Sequence, residues 1–153
     1  MRIERTRTRG AFIRSVAAVA IAVGIVAAPG PAVAGTPNYA WQVYHATNDS
    51  RERHGVHRVE RAFRMSDEAQ RHSEQMARNH RLWHTSGPRQ YGAHCYAWGE
   101  NVGMTSGSVQ ELERAFMASA DHRSHILDRG FHRVAVGAAT HNGKLWVTVF
   151  FCT

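Results

Sequence analysis

The chain has 153 residues, with 19 Lys or Arg, 12 Asp or Glu and 11 His, for a formal net charge of +7. That length holds one domain. The arginines are dispersed rather than gathered on one stretch, which argues against a nucleic-acid partner.

Much of the excess charge sits at the N-terminus, where Met1 to Arg14 carries five arginines. An apolar run from Ser15 to Ala28 follows, then Pro29-Gly30-Pro31 and Ala32-Val33-Ala34. A basic start, a short apolar stretch and a small-residue site describe a secretory signal peptide, residues 1–34, cleaved after Ala34. The run is shorter than the ~20 residues of a spanning helix, so no membrane span is expected after cleavage. The expected product is a secreted, extracellular monomer of net charge +3 that keeps all 11 histidines. Its charge therefore climbs as pH falls through ~6.5, the ordinary histidine value.

Residues 35–40 read as a short linker and 41–153 as the domain. From Tyr39 to His54, Trp41, Tyr44, Asn48 and Arg51 recur at steps of three and four, which predicts a helix ended by Gly55. Val56 to Met65 is a connection with two apolar anchors, Val59 and Phe63. Ser66 is expected to cap a second helix, with Asp67 and Glu68 at its positive end. Ala69, Ser73, Met76, Ala77 and His80 form one face of it, to about Arg81. Gly87-Pro88 blocks any continuation. Residues 87–107 hold five glycines and read as irregular structure, with at most a short strand near Val102.

Ser108-x-x-Glu111 fits a capping box that opens a third helix, with Val109, Leu112, Phe116 and Ser119 on one face. The helical pattern fades near Asp121, and a further turn through Ile126-Leu127 ends at Gly130. Val134, Val136 and Ala138 then alternate with other residues, and Asn142-Gly143 marks a two-residue hairpin turn. The return strand carries Leu145, Val147, Val149 and Phe151 on one face and Trp146, Thr148 and Phe150 on the other. Both faces are largely apolar, so the strand is expected to be covered on both sides. Helices first and a hairpin last indicate an α+β fold in layers. Cys95 and Cys152 most simply form one disulfide in an exported chain, and two buried free thiols are the alternative. A bridge would pin the C-terminus and stabilise by about 4 kcal/mol on the chain-entropy account.

The candidate site is a scattered set: His84, Gly99-Glu100-Asn101 and Ser119-Ala120-Asp121-His122-Arg123. Neutral imidazoles suit zinc. Glu100 could add a third bond or accept a proton from bound water. Beside this stand plainer readings: His84 and His122 hydrogen-bonded in a polar cleft, and Glu100 bracing a loop through backbone amides. His80 and His84 echo the spacing of H-E-x-x-H, but Arg81 stands where the general base should be. His125 reads as a solvated or packing residue, and the remaining histidines, His72 among them, as surface. Ser119, His122 and Glu100 can be drawn as a nucleophilic triad, yet the chain has no G-x-S-x-G elbow.

Six segments in order carry a resemblance. They are Asn48-x-x-Arg51-x-x-x-Gly55, Ala69-Gln70 with Met76-Ala77, Trp83-His84-Thr85-Ser86 and Gly99-Glu100-Asn101-Val102. Phe116-Met117-x-Ser119-x-x-His122-Arg123-x-x-Ile126-Leu127 and the closing strands complete the set. Together they resemble the CAP superfamily of cysteine-rich secretory proteins, venom antigens and plant pathogenesis-related proteins (SCP-like domains), and more closely its short secreted bacterial branch. The resemblance implies a three-layer α-β-α sandwich with a central antiparallel sheet and a cleft lined by two His and two acids. By position the first His is His84, the first acid Glu100 and the second His His122, while Ser119 falls where the second acid would be. The implied metal set is His84, His122 and Glu100, with zinc as the cofactor. The implied function is an extracellular binding module for a divalent metal, a lipid or a cell-envelope component. The alternative is a metal-assisted extracellular hydrolase.

Overall fold

The structure, a computed structural model, describes residues 38–153. The expected signal peptide and the first part of the linker lie outside the described residues. Among the described residues no helix is long and apolar enough to cross a membrane.

Helix α1 (Tyr39–Arg53) starts where Asn38 accepts a hydrogen bond from the backbone N–H of Trp41 at 3.0 Å. Its buried face is polar as well as apolar: Val43, Thr47, Asn48, Ser50 and Arg51. Two of these polar groups, Asn48 and Arg51, tie down chain that lies largely outside the regular elements. Asn48 clamps the Val59 backbone from both sides, accepting from its N–H at 2.8 Å and donating to its carbonyl at 3.1 Å. Arg51 donates to the carbonyls of His57, Ile126, Asp128 and Phe131. The strand β1 (Glu60–Arg61) follows, then α2 (Phe63–Asn79).

Helix α2 begins three residues before the expected cap. Ser66 lies inside it, donating to the Ala62 carbonyl at 3.0 Å and accepting from Val136 N–H at 3.3 Å. Its hydroxyl joins helix to sheet rather than capping, and Ala62 at the true N-cap makes no side-chain bond. Phe63, expected as an anchor, is 70 % exposed, whereas Val59 is buried. A short 3-10 turn, Pro88–Tyr91, precedes β2 (Trp98–Thr105). Eight residues of strand thus stand where mostly irregular chain was expected. Then come α3 (Val109–Ala118) with the full Ser108/Glu111 capping box, α4 (Ala120–Leu127), β3 (Arg133–His141) and β4 (Lys144–Cys152). The hairpin turns at Asn142 and Gly143, both with positive φ (49° and 70°).

The sheet runs in the order β1-β3-β4-β2. Its two long pairings are antiparallel as expected, but the two-residue edge β1 pairs parallel to β3. Alternation divides the core cleanly. Val134, Val136, Leu145, Val147, Val149 and Phe151 pack under α1, α3 and α4 with Val43, Leu112, Phe116 and Ile126. On the other face Ala135 and Phe150 meet Met65, Ala69 and Tyr91, and Trp146 meets Met76 and Ala77 of α2. β4 is covered on both sides, and this is the α+β sandwich the pattern predicts. Gly137 is the point of closest approach: a Cβ there would run into the backbone of Ala69 and Gln70, so α2 lies directly on the sheet. Cys95 and Cys152 are disulfide-bonded across 57 positions, tying the segment before β2 to the end of β4.

Candidate functional site

The site is built on β2, the free edge opposite β1. Gly99, Glu100, Asn101 and Gly103 give it few side chains of high strand propensity, and their neighbours explain them. A Cβ on Gly99 would sit 2.6 Å from the His125 ring, and one on Gly103 would sit 2.7 Å from Phe116. The strand must be bare there for α3 and α4 to close on it.

Glu100 points to the α2 side and is 3 % exposed. Four donors surround its carboxylate: His84 Nδ1 at 2.9 Å, Thr85 N–H at 2.9 Å, the Thr85 hydroxyl at 2.8 Å and the Tyr91 hydroxyl at 2.7 Å. A carboxylate has about four lone-pair sites, so this one is saturated. It holds His84 by Nδ1 and leaves an imidazole whose side chain is 57 % exposed. Tyr91 is stacked on Phe150 at 3.9 Å, and burial, then the Glu100 charge, raises its pKa far above the ordinary phenol.

Asn101 faces the opposite side and is fully buried. Its amide donates to the His122 carbonyl at 3.0 Å, and its oxygen meets His125 Nδ1 at 2.9 Å. His122 is half-buried, with Nδ1 2.9 Å from the Ser119 hydroxyl. Ser119 is the shared cap at which α3 ends and α4 begins, so the seryl oxygen and the imidazole are three residues apart across one break. His84 lies close enough for its charge to lower the pKa of both His122 and His125, after burial.

The expected site residues therefore join in two pairs, His84–Glu100 and Ser119–His122, one on each side of β2. The acid is bonded to the other imidazole, so the drawn Ser119–His122–Glu100 triad does not form. Nor do three ligands converge: among the described residues no group of three or more His, Cys, Asp or Glu could hold a metal ion. His80 and His84 share no helix face either, because α2 ends at Asn79. Thr85, Tyr91 and His125 are parts of the site that sequence reasoning missed, and Asn101 stands in the candidate set without a role assigned to it. The Gly-Glu-Asn run offered a signal only for Asn101.

His72, expected at the surface, is fully buried on α2. Its Nδ1 lies 3.0 Å from the Thr148 hydroxyl and its Nε2 has no partner. Burial lowers its pKa, with the Glu100 charge opposing. Thus His72, His122 and His125 are all held below the ordinary value, burial being the largest cause in each. The unfolded chain takes their protons near pH ~6.5, before the folded chain does. Stability is thus full above that pH and falls as pH drops through it toward the folded values. Urea midpoints measured from pH 7.5 down to 5 should decline, and less steeply in His72→Gln. A flat profile, or an unchanged slope in that variant, would contradict the assignment.

The model for the cysteine-rich secretory protein family, CAP, matches residues 44–153, which span α1 to the C-terminus. The chain belongs to the CAP family. Solved structures agree on the fold. A Bacillus anthracis extracellular protein containing an SCP domain superposes with a TM-score of 0.64 at 24 % identity, over 74 % of this chain and 40 % of that one. The match thus spans about two-fifths of that relative's length. An outer surface protein from Borrelia burgdorferi gives 0.65 at 11 % identity, covering 74 % of this chain and 90 % of its own. NaASP2, solved with Zn2+, gives 0.54 at 12 % identity, covering 78 % and 82 %. No curated protein matches. A groove of about 750 Å3 lies elsewhere in this CAP domain, between α1 and α3, with Trp41, Met117 and Glu113 among its lining.

Proposed function

We propose that this CAP domain is exported and acts as an extracellular binding module, taking a divalent ion weakly between His84 and His122. The observation that carries this reading is the pair of tethers: each imidazole is fixed through Nδ1, one by Glu100 and one by Ser119, which leaves Nε2 to meet a ligand. Fixing the second nitrogen is how proteins orient metal-binding histidines. The donor set fits an open, exchangeable two-imidazole site completed by water. It does not fit the three protein ligands of a catalytic zinc centre, because Glu100 has no lone pair to spare. Glu100 is then a positioning residue. The crystallisation of NaASP2 with Zn2+ makes zinc the first ion to try.

A lipid is a second ligand class, favoured by the α1–α3 groove, where Trp41 and Met117 supply apolar wall and Arg53 and Arg114 supply charge. The hydrolase reading has less support, since the acid and the serine are bonded to different imidazoles. Zinc calorimetry on the chain beginning at Gly35 tests the main reading. One weak site is expected, with affinity reduced about tenfold or more in both His84→Ala and His122→Ala. Absence of binding in the parent, or affinity in both variants unchanged from the parent's, rejects it. A search for peptide, phosphodiester and wall turnover with and without chelator separates binder from enzyme.

A further inference from the structure

Two more histidine pairs stand away from the β2 edge. His57 and His132 are stacked at 5.0 Å with planes only 20° apart, and His57 Nε2 is bonded to the Phe131 carbonyl. Imidazole lone pairs lie in the ring plane, so near-parallel rings cannot aim two nitrogens at one point. His80 and His141 differ: their centroids are 4.9 Å apart and the planes are tilted by 54°. No ring nitrogen of either is hydrogen-bonded to another described residue.

The separation has the size a shared ion requires. A zinc or similar ion sits ~2.0–2.1 Å from each nitrogen, hence roughly 3.2 Å from each ring centre, and a tetrahedral angle then places the centres about 5 Å apart. The backbone holds both residues in place. His80 is the left-handed cap of α2 (φ 51°), and His141 ends β3 one residue before the positive-φ pair of the hairpin. A helix C-terminus also carries partial negative charge that favours a cation. The nearby basic groups are partly drawn off: Arg81 lies over the Trp83 ring and Arg78 is 3.8 Å from Glu74. Lys144, opposite His141 in the strand register, remains as the opposing charge.

We propose that His80 and His141 chelate a divalent transition ion at the surface, Cu2+ most tightly and Zn2+ less so, as a site separate from His84 and His122. The order follows from the general preference of nitrogen ligands for Cu2+. The test is Cu2+ titration of the chain beginning at Gly35, followed by paramagnetic broadening of the histidine ring signals in NMR and by calorimetry. The signals of His80 and His141 should broaden together at a small fraction of one equivalent. His80→Asn, which tolerates the left-handed backbone, and His141→Asn should each weaken this site about tenfold or more. The double variant His84→Ala/His122→Ala should keep it, so failure of the β2-edge reading leaves this outcome intact. Melting curves without metal check that each variant is folded. Unchanged Cu2+ affinity in both single Asn variants, or broadening confined to His84 and His122, overturns the proposal.

Discussion

Arg51→Ala should leave the domain largely unfolded at room temperature. Arg51 is completely buried. Its guanidinium reaches the His57 carbonyl at 2.7 Å, Ile126 at 2.7 Å, Asp128 at 2.9 Å and Phe131 at 3.2 Å. Burial lowers its pKa, and the Asp128 charge only partly offsets that. The fold tolerates a buried cation because the guanidinium supplies donors to four carbonyls, of which only that of Phe131 is also met by another side chain, His57 Nε2. Hydrogen bonds to a charged group contribute about 1.5–3 kcal/mol each, so truncation should cost about 5 kcal/mol or more. That is comparable to the ~5–15 kcal/mol that a whole domain has in hand. Arg51→Lys should fall between, since one ammonium cannot fork to carbonyls on three sides. Urea unfolding followed by circular dichroism decides it. A midpoint for Arg51→Ala close to the parent's would remove Arg51 as the tie between α1 and the α4–β3 connection.

That tie marks how far the sequence could be read. The periodic segments, α1, α3 and the β3–β4 hairpin, were legible because burial imposes its spacing on them directly. Asn48 and Arg51 were visible as helix positions, but their task was not. Each holds backbone from elsewhere in the chain, and a backbone carbonyl has no residue signature. The second helix was placed late because Ser66 resembles a cap while bonding to the sheet.

The site was legible in its residues and not in its wiring. The sequence offers β2 only as irregular chain with a short strand near Val102, because glycine signals flexibility unless a neighbour is known to press on it. Here Gly99 lies against His125 and Gly103 against Phe116. His72 and His125 were set aside because histidine alone does not reveal burial. His72 is covered by the Trp83 ring, edge-on at 5.3 Å, and His125 is held by Asn101. The four residues expected in one cluster are tethered in two pairs, His84 by Glu100 and His122 by Ser119, and the strand alternation that turns Glu100 and Asn101 to opposite faces sets which helix side each pair is held from. That alternation was invisible while residues 98–105 were not seen as a strand.

Glu100→Leu should be the second most damaging change, and Glu100→Gln a much milder one. Leucine nearly fills the volume but accepts nothing. Tyr91, buried and stacked on Phe150, would lose the carboxylate that accepts from its hydroxyl. The Thr85 N–H and hydroxyl would lose theirs as well. At about 1–3 kcal/mol for each buried donor left unpaired, the loss approaches 4 kcal/mol, since exposed His84 recovers part of its share from water. Glutamine behaves otherwise because the two hydroxyls can rotate to accept. Its amide nitrogen can face Tyr91 and Thr85 while its oxygen still receives the Thr85 N–H and His84 Nδ1. The loss should then be about 1–2 kcal/mol, with the ring of His84 kept in place. The two variants separate bracing from ligation. If Glu100 positions His84, zinc affinity follows the ring's order, falling sharply in the leucine variant and little in the glutamine one. If Glu100 itself bound the ion, both variants would lose affinity alike, while their unfolding midpoints would still differ. Equal midpoints for the two would show that the hydrogen bonds around the carboxylate contribute little to holding residues 84–91 against the sheet.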